Sequence, residues 1–191
     1  MLMKRTLDLT ITLLSLPVVA PAVLACVAAI RLTSSGPGIF RQTRIGLHEQ
    51  PFTCYKLRTM SVDTGDTPSH ETPATAVTPI GRWLRQLKLD ELPQLWNIVR
   101  GEMSFVGPRP CLPSQTELIA ARRRLGLYTL RPGITGVSQV AGIDMSDPER
   151  LARSDSAYLN KISIGTDIRL ILATILGAGY GDKVGSKNLN A

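Results

Sequence analysis

The fold class depends on residues 9–30, which read LTITLLSLPVVAPAVLACVAAI and contain no charged side chain. A continuous helix over these 22 residues would rise about 33 Å, enough to cross the hydrocarbon core of a bilayer. No small-residue cleavage site followed by polar sequence precedes Arg31, which argues against a cleaved signal peptide. We therefore predict a membrane segment, with a buried helix of a soluble protein as the alternative.

Two features of this segment argue against a simple transmembrane span. Pro17 and Pro21 each remove a backbone donor near its middle, so the helix should break there. Basic residues flank both ends, at Lys4 and Arg31, and basic flanks favour the same side of the membrane. A re-entrant helix–break–helix over residues 1–33, with both termini in the cytoplasm, satisfies both observations.

The composition restricts the class of partner. A chain of 191 residues fits one main domain, and its net charge of +7 indicates an anionic partner such as nucleic acid, a phospholipid surface or a phosphorylated substrate. An aromatic content of 5% and the apolar N-terminal segment argue against nucleic acid. The three cysteines, Cys26, Cys54 and Cys111, have no metal-binding spacing and are interpreted as structural.

A basic β-hairpin is predicted after the membrane segment. Residues 39–45 and 52–60 are strand-like runs on either side of a turn at 46–51. The hairpin is either a solvated charged surface or a functional basic patch. Residues 63–78, rich in Thr, Pro, Ser and Gly, predict a mobile loop or lid. The basic residues of this region are Arg31, Arg41, Arg44, Lys56 and Arg58.

Two adjacent carboxylates, Asp90 and Glu91, stand between two predicted helices. Thr78 followed by Pro79 predicts the start of the first helix. The second has apolar residues at helical spacing from Leu92, and on spacing alone Asp90 is its N-cap. The apolar residues of the second helix are Leu92, Leu95, Trp96 and Val99.

The cations around this pair favour a chemical role over simple capping. Arg85, Lys88 and Arg100 surround Asp90 and Glu91, and Arg109 follows between two prolines. Carboxylates can hold Mg²⁺ while Arg side chains neutralise phosphate oxygens. Neither a P-loop nor a dinucleotide-binding motif is present in the sequence.

Three further features lie downstream. The run Arg122-Arg123-Arg124 is interpreted as a solvated helix face. One helix is predicted to be capped at Ser146 or Asp147, and another to cover residues 167–176 and end at Gly177. The apolar face of the last helix could pack on the core or lie in the membrane interface.

Taken together, these motifs resemble the bacterial initiating sugar transferases, the small monotopic phosphoglycosyl transferases. The resemblance covers residues 4–176, and its most specific motifs are those at 101–110 and 131–136. The sequence departs from the family at the helix break, where Ala20-Pro21 matches a pair that is usually Ser-Pro and Pro17 adds a second break. The matching motifs are Lys4-Arg5 with Asp8, Ser35-Gly36-Pro37, Arg41-Gln42, Arg44-Ile45-Gly46, Tyr55-Lys56-Leu57-Arg58-Thr59-Met60, Leu89-Asp90-Glu91-Leu92-Pro93-Gln94-Leu95, Gly101-Glu102-Met103-Ser104-Phe105-Val106-Gly107-Pro108-Arg109-Pro110 and Arg131-Pro132-Gly133-Ile134-Thr135-Gly136.

The resemblance implies transfer of a sugar-1-phosphate from a UDP-sugar to undecaprenyl phosphate, with release of UMP. It implies that Asp90 is the nucleophile that forms a phosphosugar-aspartate intermediate, that Glu91 is a supporting acid or base, and that Mg²⁺ lies near Asp90. The phosphate-binding residues that it implies are Arg85, Arg109, Arg131, Lys56 and Arg58.

The resemblance also implies a monotopic α+β protein, mostly helical, on the cytoplasmic face of the bacterial inner membrane. We expect a re-entrant hairpin at 1–33, a catalytic domain at 34–180 and a polar tail at 181–191, together the minimal catalytic unit of the family. Asp167 aligns with an acid that is frequent in the family, but an N-cap explains it equally well. The donor sugar and a homo-oligomeric state stay open, and a membrane-tethered scaffold without catalysis is the alternative function.

Overall fold

The computed structural model describes residues 2–64 and 72–178 of this chain. The predicted tail and the centre of the predicted lid lie outside the described residues. The described part is α+β and mostly helical, with a small antiparallel hairpin, so the predicted fold class is confirmed at this level. The helices are α1 (Leu2–Thr33), α2 (Pro79–Gln86), α3 (Gln94–Arg100), α4 (Thr116–Arg124), α5 (Val137–Val140), α6 (Pro148–Ser156) and α7 (Ile164–Ile175), and the strands are β1 (Ile39–Ile45), β2 (Pro51–Leu57), β3 (Ser104–Val106) and β4 (Gly133–Thr135).

Helix α1 continues through both of its prolines, so the expected interruption between two helices is not seen. Pro17 and Pro21 are both exposed to solvent. The hydroxyls of Thr12 and Ser15 donate to the carbonyls of Asp8 and Thr12 at 2.8 and 2.9 Å. A proline removes one helical hydrogen bond, and the remaining backbone hydrogen bonds maintain the helix on both sides of it.

One side of α1 packs along the domain for its whole length. Asp8 is buried near its start, Val19 packs on a buried cluster beside α3, and Ile30 is fully buried against Leu57 and Leu84. The opposite side is apolar and exposed. Its most exposed large apolar residues are Leu2, Met3, Leu13, Leu14, Val18, Leu24 and Leu32.

By length and composition, α1 is able to cross a membrane. Its most apolar window has a mean hydropathy of 2.4, and 6% of that window is buried inside the protein. A core helix of a soluble protein would be mostly buried, so this alternative interpretation is disfavoured. The way in which α1 enters a membrane stays a prediction.

The predicted hairpin is confirmed, with the second strand shorter than expected. Strands β1 and β2 are antiparallel, with Ile39 opposite Leu57. The fully buried Asn97 of α3 accepts the backbone N–H of Tyr55 at 3.1 Å and donates to the carbonyl of Thr53 at 2.6 Å. These two bonds hold α3 against β2.

Strands β3 and β4 form a parallel pair that the sequence analysis did not predict. The backbones of the two segments approach so closely that a Cβ on Gly133 would lie 2.1 Å from the backbone nitrogen of Gly107. Only glycine permits this contact, because any other residue would place a carbon inside the neighbouring backbone. The pair brings the Pro108-Arg109-Pro110 segment beside the Arg131-Pro132-Gly133 segment.

The predicted starts of α2 and α6 are confirmed, and that of α3 is wrong. Thr78 caps α2 by accepting the Gly81 N–H, and Asp147 caps α6. Asp90 is not an N-cap, because it lies within a 3-10 turn at Leu89–Glu91, and Pro93 precedes α3 instead.

Helix α7 begins earlier than predicted. Ser163 caps its first turn, so the N-cap explanation of Asp167 is wrong. Asp167 is buried and accepts the Lys4 ammonium at 2.7 Å. The helix ends before Gly177, as predicted, and Gly177 has the positive φ that suits a glycine. Its outer side exposes Ile168, Leu172 and Ile175.

The interpretation of Arg122 as part of a solvated helix face is wrong. Its side chain is buried, and its guanidinium donates to the Asp155 carboxylate at 2.8 Å. Asp155 also accepts the Ser138 hydroxyl at 2.6 Å. The neighbouring Arg123 and Arg124 are exposed, as predicted.

Candidate active site

A cavity of about 1280 Å³ lies between the end of α1, the β-hairpin and the turn that carries Asp90. The cavity is large enough for a substrate bigger than a typical drug-sized ligand. Cations dominate its polar wall, which suits an anionic occupant. Among the described residues, the charged side chains that line it are Arg31, Arg41, Arg44, Lys56, Arg58, Arg85 and Asp90.

Asp90 is largely buried, and it faces this cavity from the 3-10 turn. Lys88, two residues before Asp90, has a left-handed backbone with φ of 55°. That conformation turns the chain sharply between α2 and the 3-10 turn. The turn places Asp90 at the wall of the cavity that Arg85 of α2 also lines.

Glu91 lies between two cations. Its Oε1 accepts the Arg109 Nη2 at 2.7 Å and the Lys56 Nζ at 3.2 Å. All three side chains are half-buried, which limits solvent screening of the cluster. These three residues are site residues predicted from the sequence, and the structure brings them together from three separate segments.

The backbone of Pro108-Arg109-Pro110 is held at each of its three carbonyls. The Pro108 carbonyl accepts the Gly133 N–H at 2.9 Å. The Arg109 carbonyl accepts Arg122 Nη1 at 2.6 Å, and the Pro110 carbonyl accepts Arg44 Nη1 at 2.9 Å. Two prolines also restrict φ. The Arg109 side chain thus projects towards Glu91 from a rigid base.

Arg85 has an unused hydrogen-bond donor. Its Nε donates to the Thr59 hydroxyl at 2.9 Å, whereas its buried Nη1 has no hydrogen-bond partner among the described residues. An unpaired buried donor of a charged group is costly unless a ligand supplies the acceptor. In a cavity that also holds Asp90, a phosphate oxygen fits this need.

Two of the expected phosphate-binding residues, Arg58 and Arg131, also bond to loops. Arg58 lines the cavity, and its Nη atoms donate to the loop at 34–36, including the Ser34 hydroxyl at 2.9 Å, whereas its buried Nε has no hydrogen-bond partner among the described residues. Arg131 donates its Nε to the Gly101 carbonyl at 2.8 Å and is not among the described residues that line the cavity. In this structure both side chains hold loops in place.

Arg44 and Arg122 support the site, and the sequence analysis missed both roles. A sequence signal existed for Arg122, because Leu118 and Ala121 share its helix face at i−4 and i−1 and are buried. Arg44 and Gln42 both lie on the inward side of β1, two residues apart, and the Nε of Arg44 donates to the Gln42 side chain at 2.9 Å. Burial of both guanidinium groups requires the partners described above.

The buried thiol beneath the cluster is chemically quiet. Desolvation raises the pKa of Cys54 above its ordinary value, and the nearby cations Lys56 and Arg44 oppose this only in part. A raised pKa keeps the thiol protonated and weakly nucleophilic. This agrees with the structural role predicted for the cysteine.

The donor set limits how a metal ion could be held. No group of three or more His, Cys, Asp or Glu side chains within residues 2–64 and 72–178 could hold a metal. Glu91 already binds two cationic side chains. Mg²⁺ commonly binds through one or two carboxylates together with substrate phosphates. Asp90 fits that pattern when a diphosphate supplies the other oxygens.

Comparison with known families gives one match over nearly the whole chain. The model of the family described as bacterial sugar transferase matches residues 1–179. This range includes every residue of the cavity wall and of the Glu91 cluster.

Three curated proteins illustrate the similarity. An undecaprenyl-phosphate glucose phosphotransferase of Komagataeibacter xylinus is 40% identical over 92% of this chain and 35% of its own length. A UDP-glucose:undecaprenyl-phosphate glucose-1-phosphate transferase of Caulobacter vibrioides is 39% identical over 91% of this chain and 68% of its own length. An uncharacterized sugar transferase, EpsL of Bacillus subtilis, is 37% identical over 92% of this chain and 86% of its own length. The chain thus spans between about a third and most of the length of these relatives.

Proposed function

The chain belongs to the bacterial sugar transferase family, and on that premise we propose that it transfers a sugar-1-phosphate from a UDP-sugar to undecaprenyl phosphate. UMP and undecaprenyl diphosphate-sugar are the products, and this step would begin the assembly of a surface glycan. The observation that carries the proposal is one cation-rich cavity that both Asp90 and Arg85 line, in which the buried Nη1 of Arg85 has no hydrogen-bond partner among the described residues. The names of the Komagataeibacter and Caulobacter relatives support the substrate class.

In the first step, an Asp90 carboxylate oxygen attacks the β-phosphorus of the UDP-sugar. A phosphorus–oxygen bond to Asp90 forms as the bond from that phosphorus to the bridging oxygen breaks, and UMP leaves with the bonding electron pair. Arg85 Nη1 donates to a phosphate oxygen on which charge develops. This produces a phosphosugar-aspartate intermediate.

In the second step, a phosphate oxygen of undecaprenyl phosphate attacks the same phosphorus. The bond to the lipid phosphate forms, the bond to Asp90 breaks, and the carboxylate is regenerated. In this proposal Glu91 acts as the supporting acid or base, and its ion pairs with Lys56 and Arg109 hold its carboxylate in position.

Mg²⁺ is the cofactor that we propose, held by Asp90 together with the diphosphate of the donor. When bound, it would neutralise phosphate charge and so lower the repulsion between the donor and an attacking carboxylate. Arg85 and Lys56 supply fixed positive charge on the same wall of the cavity.

We also propose that the protein is monotopic and lies on the cytoplasmic face of the inner membrane. Both ends of α1 contact the same domain, through Arg5 bonded to the Ile98 carbonyl and through the buried Ile30. If α1 were a transmembrane helix, its two ends would lie on opposite sides of the bilayer and could not both contact this domain. The exposed Trp83 and Trp96 suit the interfacial layer, where tryptophan is enriched.

The substrate class can be tested by UMP release from purified protein in detergent with undecaprenyl phosphate and Mg²⁺. The donors are UDP-glucose, UDP-galactose and UDP-N-acetylgalactosamine. We expect release with at least one donor, dependence on undecaprenyl phosphate for turnover, and loss on addition of EDTA that excess Mg²⁺ restores. Absence of release with every donor would favour the scaffold alternative, and activity resistant to EDTA would contradict the Mg²⁺ proposal.

The topology can be tested by cysteine labelling with a membrane-impermeant reagent. Leu2→Cys and Leu32→Cys place thiols at the two exposed ends of α1, in a background with Cys26→Ser. We expect both to react in inverted membrane vesicles and neither to react in spheroplasts. Val18→Cys, at the exposed middle of α1, should be shielded in both preparations. Labelling of one end in spheroplasts would show that α1 spans the membrane.

A further inference from the structure

Lys88 has a backbone conformation that a lysine rarely adopts. Its φ of 55° and ψ of 21° lie in the left-handed region, and it stands between α2 and the 3-10 turn with Asp90. This conformation costs a side-chain-bearing residue because its Cβ approaches its own carbonyl oxygen. Glycine or asparagine would adopt it more easily. Another interaction must therefore stabilise a lysine at this position.

That interaction is with the carboxyl end of α7. The Lys88 ammonium donates to the Thr174 carbonyl at 3.3 Å and to the Ala178 carbonyl at 2.9 Å. A cation is favourable there, because the helix carries partial negative charge at its carboxyl end. Burial lowers the pKa of Lys88, and Glu91 opposes the shift, so the ammonium is partly desolvated yet electrostatically coupled to the carboxylate pair.

Helix α7 is fixed at its other end as well. Asp167, in its first turn, is buried and accepts the Lys4 ammonium of α1 at 2.7 Å and the Tyr158 hydroxyl. The 12 residues of α7 span about 18 Å. One rigid helix therefore joins α1 to the turn that carries Asp90.

The outer side of α7 does not contact the core. Ile168, Leu172 and Ile175 are 42%, 51% and 73% exposed, whereas Leu170 on the opposite side is buried. Under the membrane arrangement proposed above, this side faces lipid. The position of α7 then depends on the membrane, and Lys88 transmits that position to the Asp90 turn.

We propose that Lys88 is a positioning residue that ties the Asp90–Glu91 turn to α7, so that the orientation of the carboxylate pair depends on how α7 is seated. The catalytic part of this inference rests on the proposed function. The ammonium binds α7 and not the cavity wall, so its role is to orient Asp90 and not to bind substrate.

Three substitutions distinguish the effect of the Lys88 ammonium from the effect of its backbone conformation. Lys88→Gly and Lys88→Asn suit the left-handed conformation but remove the cation, and Lys88→Arg keeps a cationic donor. We expect the first two to lower kcat by about ten- to a hundredfold, as for a small displacement of a reacting group, with little change in KM for the UDP-sugar. Lys88→Arg should restore most of kcat. Lys161→Asn, at an exposed lysine outside the site, is the matched control.

Coupling to α7 is tested by a double-mutant cycle. Leu172→Ser should lower kcat in the wild type when the protein is in lipid nanodiscs, because it weakens the contact of α7 with lipid. In Lys88→Gly the same substitution should have a much smaller effect, since the connection is already lost. Additive effects of the two substitutions would contradict the coupling.

Hydrogen–deuterium exchange provides a readout that does not require activity. In Lys88→Gly and Lys88→Asn, the backbone amides of 89–95 and of the last turn of α7 should exchange about tenfold faster, and in Lys88→Arg they should not. If the wild type released no UMP, the proposed function would fail, and exchange alone would decide the positioning role. Unchanged exchange, or a rise in KM with kcat unchanged, would overturn the proposal.

Discussion

Asp90→Asn is expected to lower UMP release by about 10⁴-fold or more, because an amide cannot replace the carboxylate that attacks the β-phosphorus. The substitution preserves size and shape at a largely buried position, so a change in folding should be small. The measurement is the initial rate of UMP release at saturating UDP-sugar, together with the melting temperature of each variant in the same detergent.

The covalent intermediate can be examined directly with the same variant. Wild-type protein incubated with donor but without undecaprenyl phosphate should gain the mass of one phosphosugar, and Asp90→Asn should not. Glu91→Gln is the matched control at the adjacent carboxylate. It should reduce turnover by about 10²–10⁴-fold, as for loss of an acid or base, while retaining the added mass. A mass gain in Asp90→Asn would assign the nucleophile to another residue.

Arg85→Met should have the next largest effect. The Nη1 of Arg85 is buried without a hydrogen-bond partner among the described residues, in the cavity that Asp90 lines. If this donor stabilises charge that develops on the transferred phosphate, its loss should lower kcat/KM by about 10²–10³-fold. Steady-state kinetics with the UDP-sugar varied would measure this directly.

Helix α2 offers a control for this prediction. Arg82 lies on the same helix but is exposed to solvent, so Arg82→Met should leave kcat/KM unchanged. Arg85→Lys keeps the charge but not the planar fork that also bonds Thr59, and should recover activity only in part. Equal activity of Arg85→Met and Arg82→Met would exclude Arg85 from the phosphate site.

The hairpin and several helix ends were predictable because their causes are local. Thr78 before Pro79 specified the start of α2, and Gly177 marked the end of α7, in both cases through backbone preferences that neighbouring residues determine. The caps at Asp90 and Asp167 were predicted wrongly for a related reason. Both carboxylates have the sequence setting of a cap, but Asp167 is buried in an ion pair with Lys4, and Asp90 lies within a 3-10 turn that lines the cavity.

The candidate site was predictable in its residue types and not in its geometry. The interleaved acids and arginines indicated phosphate chemistry, and Asp90, Arg85 and Lys56 do share one cavity. The positions of Arg58 and Arg131 could not be foreseen. Their guanidinium groups bond to backbone carbonyls of distant loops, and no spacing rule reports such contacts.

By itself, the sequence determined the class of this protein. Its apolar segment at 9–30, net charge of +7 and paired acids among arginines are properties of composition and local order, and they predicted a membrane-associated protein with an anionic partner. Only the tertiary structure decided which charges meet. The contact between Glu91 and Arg109, and that between Lys88 and the end of α7, join segments that are distant along the chain. Such pairings depend on how the helices and strands pack, because a side chain finds its partner in space and not in sequence.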